Sequence, residues 1–443
     1  MKKILTLLSL LAIVFIARAQ NGEISGKVID ENGEGVISGN VQIVDEKGVP
    51  TGRGAVTDFD GNYSIKPLSP GKYNVQISYL GYGTQVQKGV IVSADKPTWI
   101  NVNLKPSEAL LGVVEIVEYK NPLIDPGKTS SQNTVTADEI ATMPTRSVQD
   151  IAATTAGAFQ NDQGGGISIK GGREEGTEYY IDGVKVTGVP TLPASAIEQL
   201  QVITGGVPAK YGDLTGGIVN ITSKGPSGEF HGGIEAMTSQ GLDAYGYNLV
   251  NANLTGPIVK LKKTNKTIMG FFAAFEYLRQ QDPNPSAVGV WQVRPDVLDS
   301  LRRYPLMKRE TETGFNLRAE TIDYKDMYKV KAKPNVAENN YRGTGRIDIR
   351  PVDNITLAVG GSVTYRQYND WVDKYTLFNA ENNPRYTNLN WRVFGRFTHN
   401  IQSKQGDDEK KKASAFQNAY YSVQFDYEKY VVKFEDETHG FNP

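Results

Sequence analysis

The sequence contains no cysteine, three histidines and four tryptophans in 443 residues. Without cysteine there are no disulfides, no thiol nucleophile and no lipidated cysteine behind a leader peptide. The histidines, His231, His399 and His439, are far apart and form no H-E-x-x-H or similar spacing, so no zinc-hydrolase constellation is present and no metal or cofactor is expected. Excess charge is missing too. The 48 Lys and Arg offset 49 Asp and Glu, with the signs interspersed rather than clustered, which argues against nucleic acid as a partner. Gly164-Gly165-Gly166 is not followed by Lys-Ser or Lys-Thr, so it is a poor phosphate cradle. Beyond the first residues no apolar run approaches the roughly 20 residues of a spanning helix, so any passage through a membrane must be made by strands.

What is present is glycine and tyrosine, 46 and 23 residues, in a chain long enough for two or three domains. Lys2 and Lys3 precede the apolar run Ile4 to Ile16, and Ala17-Arg18-Ala19 forms an A-x-A cleavage pattern. A signal peptide over 1–19 is expected, with a mature chain beginning at Gln20. The fold class expected behind it is mainly β with a small α/β domain.

From Gly22 to Leu104 short strands alternate with turn residues, as in a small β-sandwich. Seven strands are expected, over 23–29, 40–44, 54–57, 63–65, 72–79, 85–92 and 99–104. Tyr73, Val75, Ile77 and Tyr79 share one face, and Asp60-Gly61 reads as a hairpin turn, a pair favoured there because both residues tolerate positive φ. The stretch Val56-Thr57-Asp58-Phe59-Asp60-Gly61-Asn62-Tyr63, together with Pro70-Gly71-Lys72-Tyr73 and Gly81-Tyr82, resembles the carboxypeptidase regulatory-like domain, a prealbumin-like sandwich. The resemblance covers most of residues 22–105, in a domain expected over 20–105, and implies an accessory domain without peptidase activity. Asp58 and Asp60 lack the downstream bidentate Glu of a calcium loop, and the turn explains them.

Residues 106–134 form a linker containing the β-branched run Val113, Val114, Glu115, Ile116 and Val117. Such a run can add itself as an edge strand to another protein. By position and character it resembles the TonB box, the segment through which the energy-transducing TonB protein pulls on its receptors. An eighth strand of the preceding sandwich is the alternative.

Residues 135–225 read as a small mixed α/β domain. Thr136 with Glu139, Ser147 with Asp150 and Ser195 with Glu198 mark three expected helix starts, each with an N-cap oxygen and an acidic group three residues on. Strands are expected around Ile167 to Ile169 and Tyr179 to Val184, the latter entering an Asp-Gly turn. The motifs Ile169-Lys170-Gly171-Gly172-Arg173, Tyr180-Ile181-Asp182-Gly183-Val184, Ile197-Glu198 through Gly205-Gly206, Ala209-Lys210-Tyr211-Gly212 and Gly216-Gly217-Ile218-Val219-Asn220-Ile221 closely resemble the TonB-dependent receptor plug domain. The resemblance implies a plug seated inside a barrel. It makes Arg173, Glu198, and Glu174 or Glu175, partners of the barrel wall and plug core. Gln163, Gly164, Gly165, Glu174, Glu175 and Lys185, within 160–166, 174–177 and 185–192, become candidate ligand loops.

After Gly225-Pro226 the pattern becomes one of long alternating strands. Seven are expected, near 230–240, 246–256, 267–278, 341–350, 355–366, 386–399 and 414–432. Leu357, Val359, Val363 and Tyr365 form a lipid-suited face, with Ala358, Ser362, Thr364 and Arg366 opposite. Short turns at 260–266, 351–354 and 403–412 would be periplasmic, and long loops at 280–338 and 368–384 external. Seven strands cannot close a bacterial barrel, so 226–443 reads as the first strands of an incomplete one that stops in an external loop.

Energy-coupled uptake of a glycan, siderophore or peptide through the outer membrane is the function these resemblances imply. The expected partners are TonB, outer-membrane lipid, the imported ligand and, by analogy with SusC-like importers, a surface lipoprotein. The sandwich would sit in the periplasm. A non-transporting adhesion protein is the alternative, and no enzymatic role is expected.

Overall fold

The computed structural model describes residues 21–46, 48–93, 97–106, 115–118, 131–161, 165–208, 211–212, 214–261, 267–308, 314–352, 354–401, 419–436 and 440. The expected signal peptide and residues Val113, Val114, Gln163, Gly164, Ala209, Lys210 and His439 lie outside them.

The sandwich is built of β1 (Gly22–Ile29), β2 (Asn40–Val44), β3 (Pro50–Val56), β4 (Asn62–Leu68), β5 (Gly71–Ser78), β6 (Gln85–Val92), β7 (Pro97–Trp99) and β8 (Val102–Asn103). One sheet has the order β4-β1-β7, with β8 also on β1, and the other places β3, β2, β5 and β6 side by side. Alternation directs Ile24, Val28, Val41, Ile65, Val75, Ile77, Val90 and Val92 into a shared core. The expected last strand is interrupted at Ile100 and Asn101. There the Tyr63 hydroxyl donates to the Ile100 carbonyl (2.9 Å), and Asn101 Oδ1 accepts the Lys27 N–H (2.9 Å). The Asp58 carboxylate accepts the N–H groups of Asp60 and Asn62 (3.0 and 2.7 Å), and of the Asp60-Gly61 pair only Gly61 takes positive φ. The turn is therefore held by an aspartate upstream of the pair, not by two left-handed residues.

Strand β9 (Glu115–Glu118) pairs in parallel with β6, Gln85 opposite Glu115 and Lys88 opposite Glu118, and extends the second sheet to five strands. The described part of the β-branched linker run thus lies on the sandwich edge.

The next domain has β10 (Ser131–Thr136), α1 (Ala137–Thr142), α2 (Val148–Ala153), β11 (Ala158–Gln160), β12 (Ile167–Ile169), β13 (Glu178–Ile181), β14 (Val184–Val186), β15 (Ile197–Gly205) and β16 (Ile218–Ser223). Its main sheet runs β10-β15-β16-β13-β14, and β11 and β12 form a separate hairpin. The first two expected helix starts are present. Thr136 and Glu139 form a reciprocal capping box, and Ser147 Oγ accepts the Asp150 N–H. The third is a correction, because Ile197 to Gly205 is a strand. Ile197, Leu200, Val202 and Ile203 are all at most 2 % exposed. A central strand buried on both faces has no clean alternation, so its apolar spacing imitates a short helix. Ser195 caps nothing. Its hydroxyl donates to Asn251 Oδ1 at 2.7 Å.

All seven long strands are present: β17 (His231–Thr238), β18 (Asn248–Lys260), β19 (Thr267–Gln280), β24 (Glu338–Val352), β25 (Ile355–Asn369), β26 (Arg385–Ile401) and β27 (Ala419–Glu435). They form one antiparallel sheet in chain order. The short strands β20 (Val290–Val293), β21 (Leu306–Lys308), β22 (Phe315–Leu317) and β23 (Met327–Val330), with α3 (Pro295–Arg303), belong to the long connection between β19 and β24. On the outer face Val359, Val363, Phe275, Val423 and Phe425 are exposed. On the inner face Phe272 and Ala274 pack against Ala196 of the preceding domain.

The parallel pairing of β6 with β9 predicts that the double variant Gln87→Cys/Val117→Cys will form a disulfide under mild oxidation, since these residues are register partners. With no native cysteine to compete, a gel-mobility or mass shift reads the bond directly. Absence of the cross-link in folded protein would refute the register.

Candidate functional site

The sheet of 231–435 presents one face to the small α/β domain, and the contact centres on the turn Asp182-Gly183. Both residues take positive φ (50° and 90°), as an Asp-Gly hairpin requires, and the turn joins β13 to β14. Positive φ points the turn's carbonyls outward, where the wall meets them. Arg392 Nη2 donates to the Ile181 carbonyl (3.1 Å), and Arg396 Nη2 donates to that of Asp182 (2.6 Å). The two arginines are four residues apart on β26 and therefore share its inner face. Arg392 is further fixed by the Asp426 carboxylate at 2.9 and 2.5 Å, and Arg396 by Gln424 Oε1 at 2.8 Å.

The Asp182 carboxylate turns inward and accepts the Ser223 N–H (3.0 Å) and hydroxyl (2.6 Å). Burial raises its pKa, but the Arg396 and Arg346 charges and the Ser223 hydrogen bonds outweigh burial and hold it below the usual carboxylate value. The same residue therefore ties β13 to β16 and offers its carbonyl to the wall.

Further contacts run along the wall. Thr191 Oγ1 meets Thr364 Oγ1 at 2.9 Å, and the Thr187 N–H reaches Glu428 at 3.4 Å. Arg146 pairs with Glu235 at 2.5 Å. The wall's own inner charges are paired across strands. Glu276, with no exposed surface, accepts from Arg342 (2.6 Å) and Asn251 (3.3 Å), and Arg366 grips Glu338 at 2.6 and 2.8 Å. Pairing is what makes such burial tolerable.

The sandwich lies at the opposite end of the sheet from the 281–337 connection. Gln199 Nε2 donates to the Val92 carbonyl at 2.8 Å, and Lys72 forms an ion pair with Asp138. Residues 69–73 also line a cavity together with Asp182, Glu198, Arg346 and Arg350.

The motif residues divide into four groups. Lys170, Gly171, Asp182, Gly183, Gly206 and Gly212 occupy left-handed turn positions. Gly216 and Gly217 permit close packing, since a Cβ would come within 2.5 Å of the Gly176 carbonyl oxygen and 2.3 Å of Ile169 Cδ1. Tyr180 and Tyr211 pack edge to face at 4.9 Å, with Ile203 and Ile218 in the same cluster. Gly172 and Gly205 lie in or beside the sheet, and Ile181 is in the core.

The expected charge partners of the wall and plug core take different places. Arg173, Glu174 and Glu175 are exposed, and Glu174 accepts the Gly166 N–H at 2.8 Å, closing the glycine loop beside Gly165. Glu198 lines the cavity, and burial raises its pKa against the lowering pull of Lys224 and Lys72. Arg392 and Arg396 of the wall reach the plug through its main-chain carbonyls, and Arg146 of the plug reaches the wall as an ion pair with Glu235. Sequence reasoning missed Arg392 and Arg396 because the acceptors are backbone atoms, which carry no residue signature. The arginines' shared inward register was the one usable signal. Lys185 is paired with Glu178 at 2.5 Å and exposed.

Comparison with known proteins follows the same divisions. Residues 23–105 match the carboxypeptidase regulatory-like domain, and residues 127–218 match the TonB-dependent receptor plug domain. The TonB-dependent transporter Oar of Myxococcus xanthus is 30 % identical over 294 residues, which cover 58 % of this chain and 27 % of that protein. The TonB-dependent receptor SusC of Bacteroides thetaiotaomicron is 29 % identical over 269 residues, 53 % of this chain and 25 % of that one. The siderophore receptor PirA from Pseudomonas aeruginosa overlays with a TM-score of 0.38 at 15 % identity, over 71 % of this chain and 52 % of that one. The matched region spans about a quarter of the length of these two curated relatives.

Replacing Asp182 with Asn keeps a residue that tolerates positive φ but removes the charged acceptor from Ser223. A loss of about 1–3 kcal/mol in local stability is expected. Hydrogen exchange at the Ser223 amide reads it. Because the folded pKa of Asp182 is depressed, its contribution is complete above the unfolded value of 3.8 and is lost as pH falls through the lower folded value. Wild-type protection should therefore fall in that acid range, whereas Asp182→Asn should lack this titration.

The chain thus consists of a carboxypeptidase regulatory-like domain, a TonB-dependent receptor plug domain and seven barrel-type strands, and it is related in sequence to the TonB-dependent receptors.

Proposed function

We propose that this chain belongs to the machinery of energy-coupled uptake across an outer membrane, with the plug as the element moved and the linker strand as the handle. The observation that carries this reading is the seating of the plug. Its Asp182-Gly183 turn is held by a few hydrogen bonds from Arg392 and Arg396, each worth about 0.5–3 kcal/mol. Such a contact resists thermal release yet yields to a directed pull.

The handle in this reading is Val113 to Val117. Strand addition is the recognition mode that an extended β-branched segment offers, and the energising partner is TonB. Release of Glu115 to Val117 from β6 would precede capture. The sandwich would face the periplasm, at the end of the sheet with the short turns, and the 281–337 connection would face outside. The imported ligand would meet loops 160–166, 174–177 and 185–192. Support for the last loop comes from Thr187 and Thr191, whose contacts with Glu428 and Thr364 run along the wall toward the long connections. Catalysis is not part of this reading, and the relatives are transporters and receptors. A glycan, siderophore or peptide is the proposed class of cargo, and a surface lipoprotein the proposed accessory partner.

Deleting Val113 to Val117 should abolish uptake in cells carrying the native receptor while leaving ligand binding at the surface within about twofold of wild type. Uptake that survives the deletion would sink the handle assignment. If binding is intact and wild-type cells accumulate no ligand, an adhesion role replaces transport. Alanine replacement across 174–177 and 185–192 should weaken surface binding about tenfold, and unchanged binding would remove those loops from the ligand site.

A further inference from the structure

The described part of the linker run is held by the sandwich. Strand β9 occupies the edge of the second sheet, parallel to β6, with Gln85 opposite Glu115, Val86 opposite Ile116, Gln87 opposite Val117 and Lys88 opposite Glu118. The chain is fastened upstream as well. The Gly83 N–H donates to the Lys105 carbonyl at 2.9 Å and Tyr82 bridges Pro106, so the chain leaves the sandwich beside the start of β6 and returns there at Glu115.

The pairing is short, and β6 itself sets its length. Gly89 takes positive φ (73°) and its N–H donates to Asn74 Oδ1 at 3.1 Å, so the ladder stops at Lys88. Four residues of parallel pairing on a sheet edge belong to the part of a sandwich that opens most readily. When β9 leaves, the bared edge of β6 carries exposed Lys88 and the irregularity at Gly89, features that discourage pairing with a foreign strand. The far end of β6 is tied to the plug, where the Val92 carbonyl accepts from Gln199 Nε2 at 2.8 Å. One strand therefore holds the linker run at one end and the plug at the other.

We propose that the sandwich is a latch for the handle: β6 and the strand of the energising partner compete for one segment, and the partner couples only to chains whose β9 has left the sandwich. This inference rests on the reading of Val113 to Val117 as the handle. Strand addition draws its affinity from main-chain hydrogen bonds and its specificity from alternate side chains. With β9 in the sheet, the main-chain groups along one of its edges are spent on β6. A pull on β9 is then borne by the β6 ladder before it reaches the plug through the linker. The sandwich thus sets how much handle is available, through a local opening that leaves the plug in its seat.

Titration of the full chain in detergent with the soluble periplasmic part of the cognate TonB protein tests this, using Gln87→Cys/Val117→Cys. Oxidation closes the latch covalently and should weaken binding about tenfold or more relative to the reduced form of the same protein, with full recovery on reduction. The reduced form and the single variant Val117→Cys control for folding and for the change within the handle. Hydrogen exchange on wild type is the second readout. The β6 amides among 85–88 that point toward β9 should exchange faster when TonB binds, because β9 has left them. Equal binding by the oxidised and reduced forms, or unchanged exchange at those amides in the complex, would mean that the partner adds to the outer edge of β9, and would overturn the latch. Binding by none of the forms, wild type included, would instead remove the handle assignment and the latch with it.

Discussion

The arrangement depends on one constraint: main-chain carbonyls of a tight turn must find donors when the turn is pressed against a sheet. At Asp182-Gly183 left-handed backbone turns two carbonyls outward, and the wall answers with Arg392 and Arg396. Those arginines are themselves made tolerable by Asp426 and Gln424. The seat is therefore a chain of dependencies. The turn fixes the carbonyls, the carbonyls orient the guanidiniums, and the guanidiniums need acceptors on β27. Removing a link leaves a buried polar group unsatisfied, which costs more than the lost bond alone.

The same logic explains why the wall's inner face is polar although its outer face is apolar. Strand alternation gives each face its own set of residues, so Val359 and Val363 are exposed on one side while Ala358 and Thr364 are buried on the other. Cross-strand ion pairs such as Glu276–Arg342 and Glu338–Arg366 then neutralise inner charges, and Arg146 of the plug pairs with Glu235.

Much of this was legible in the sequence, for physical reasons that differ by element. The seven long strands were readable because each has one exposed and one covered face, which writes period two into the residues. The capping box at Thr136 was readable because its chemistry is local. The strand at 197–205 was misread as a helix because burial on both faces erases the alternation. The surroundings of Glu198, in a cavity lined by three domains, were hidden for another reason. An acidic residue in a plug motif suggests a partner, but whether one lies within reach depends on how domains dock, which no local pattern encodes. The carbonyl acceptors for Arg392 and Arg396 were invisible on the same ground.

Docking also explains the uneven distribution of charge pairing. Inside the wall, opposite charges come from neighbouring strands whose register is fixed, so Arg392 can be matched with Asp426 residue by residue. Where the sandwich meets the wall no shared register exists, and matching depends on two separately folded surfaces. The pairs made there, Lys72 with Asp138 and Gln199 with the Val92 carbonyl, lie on the plug side of the contact.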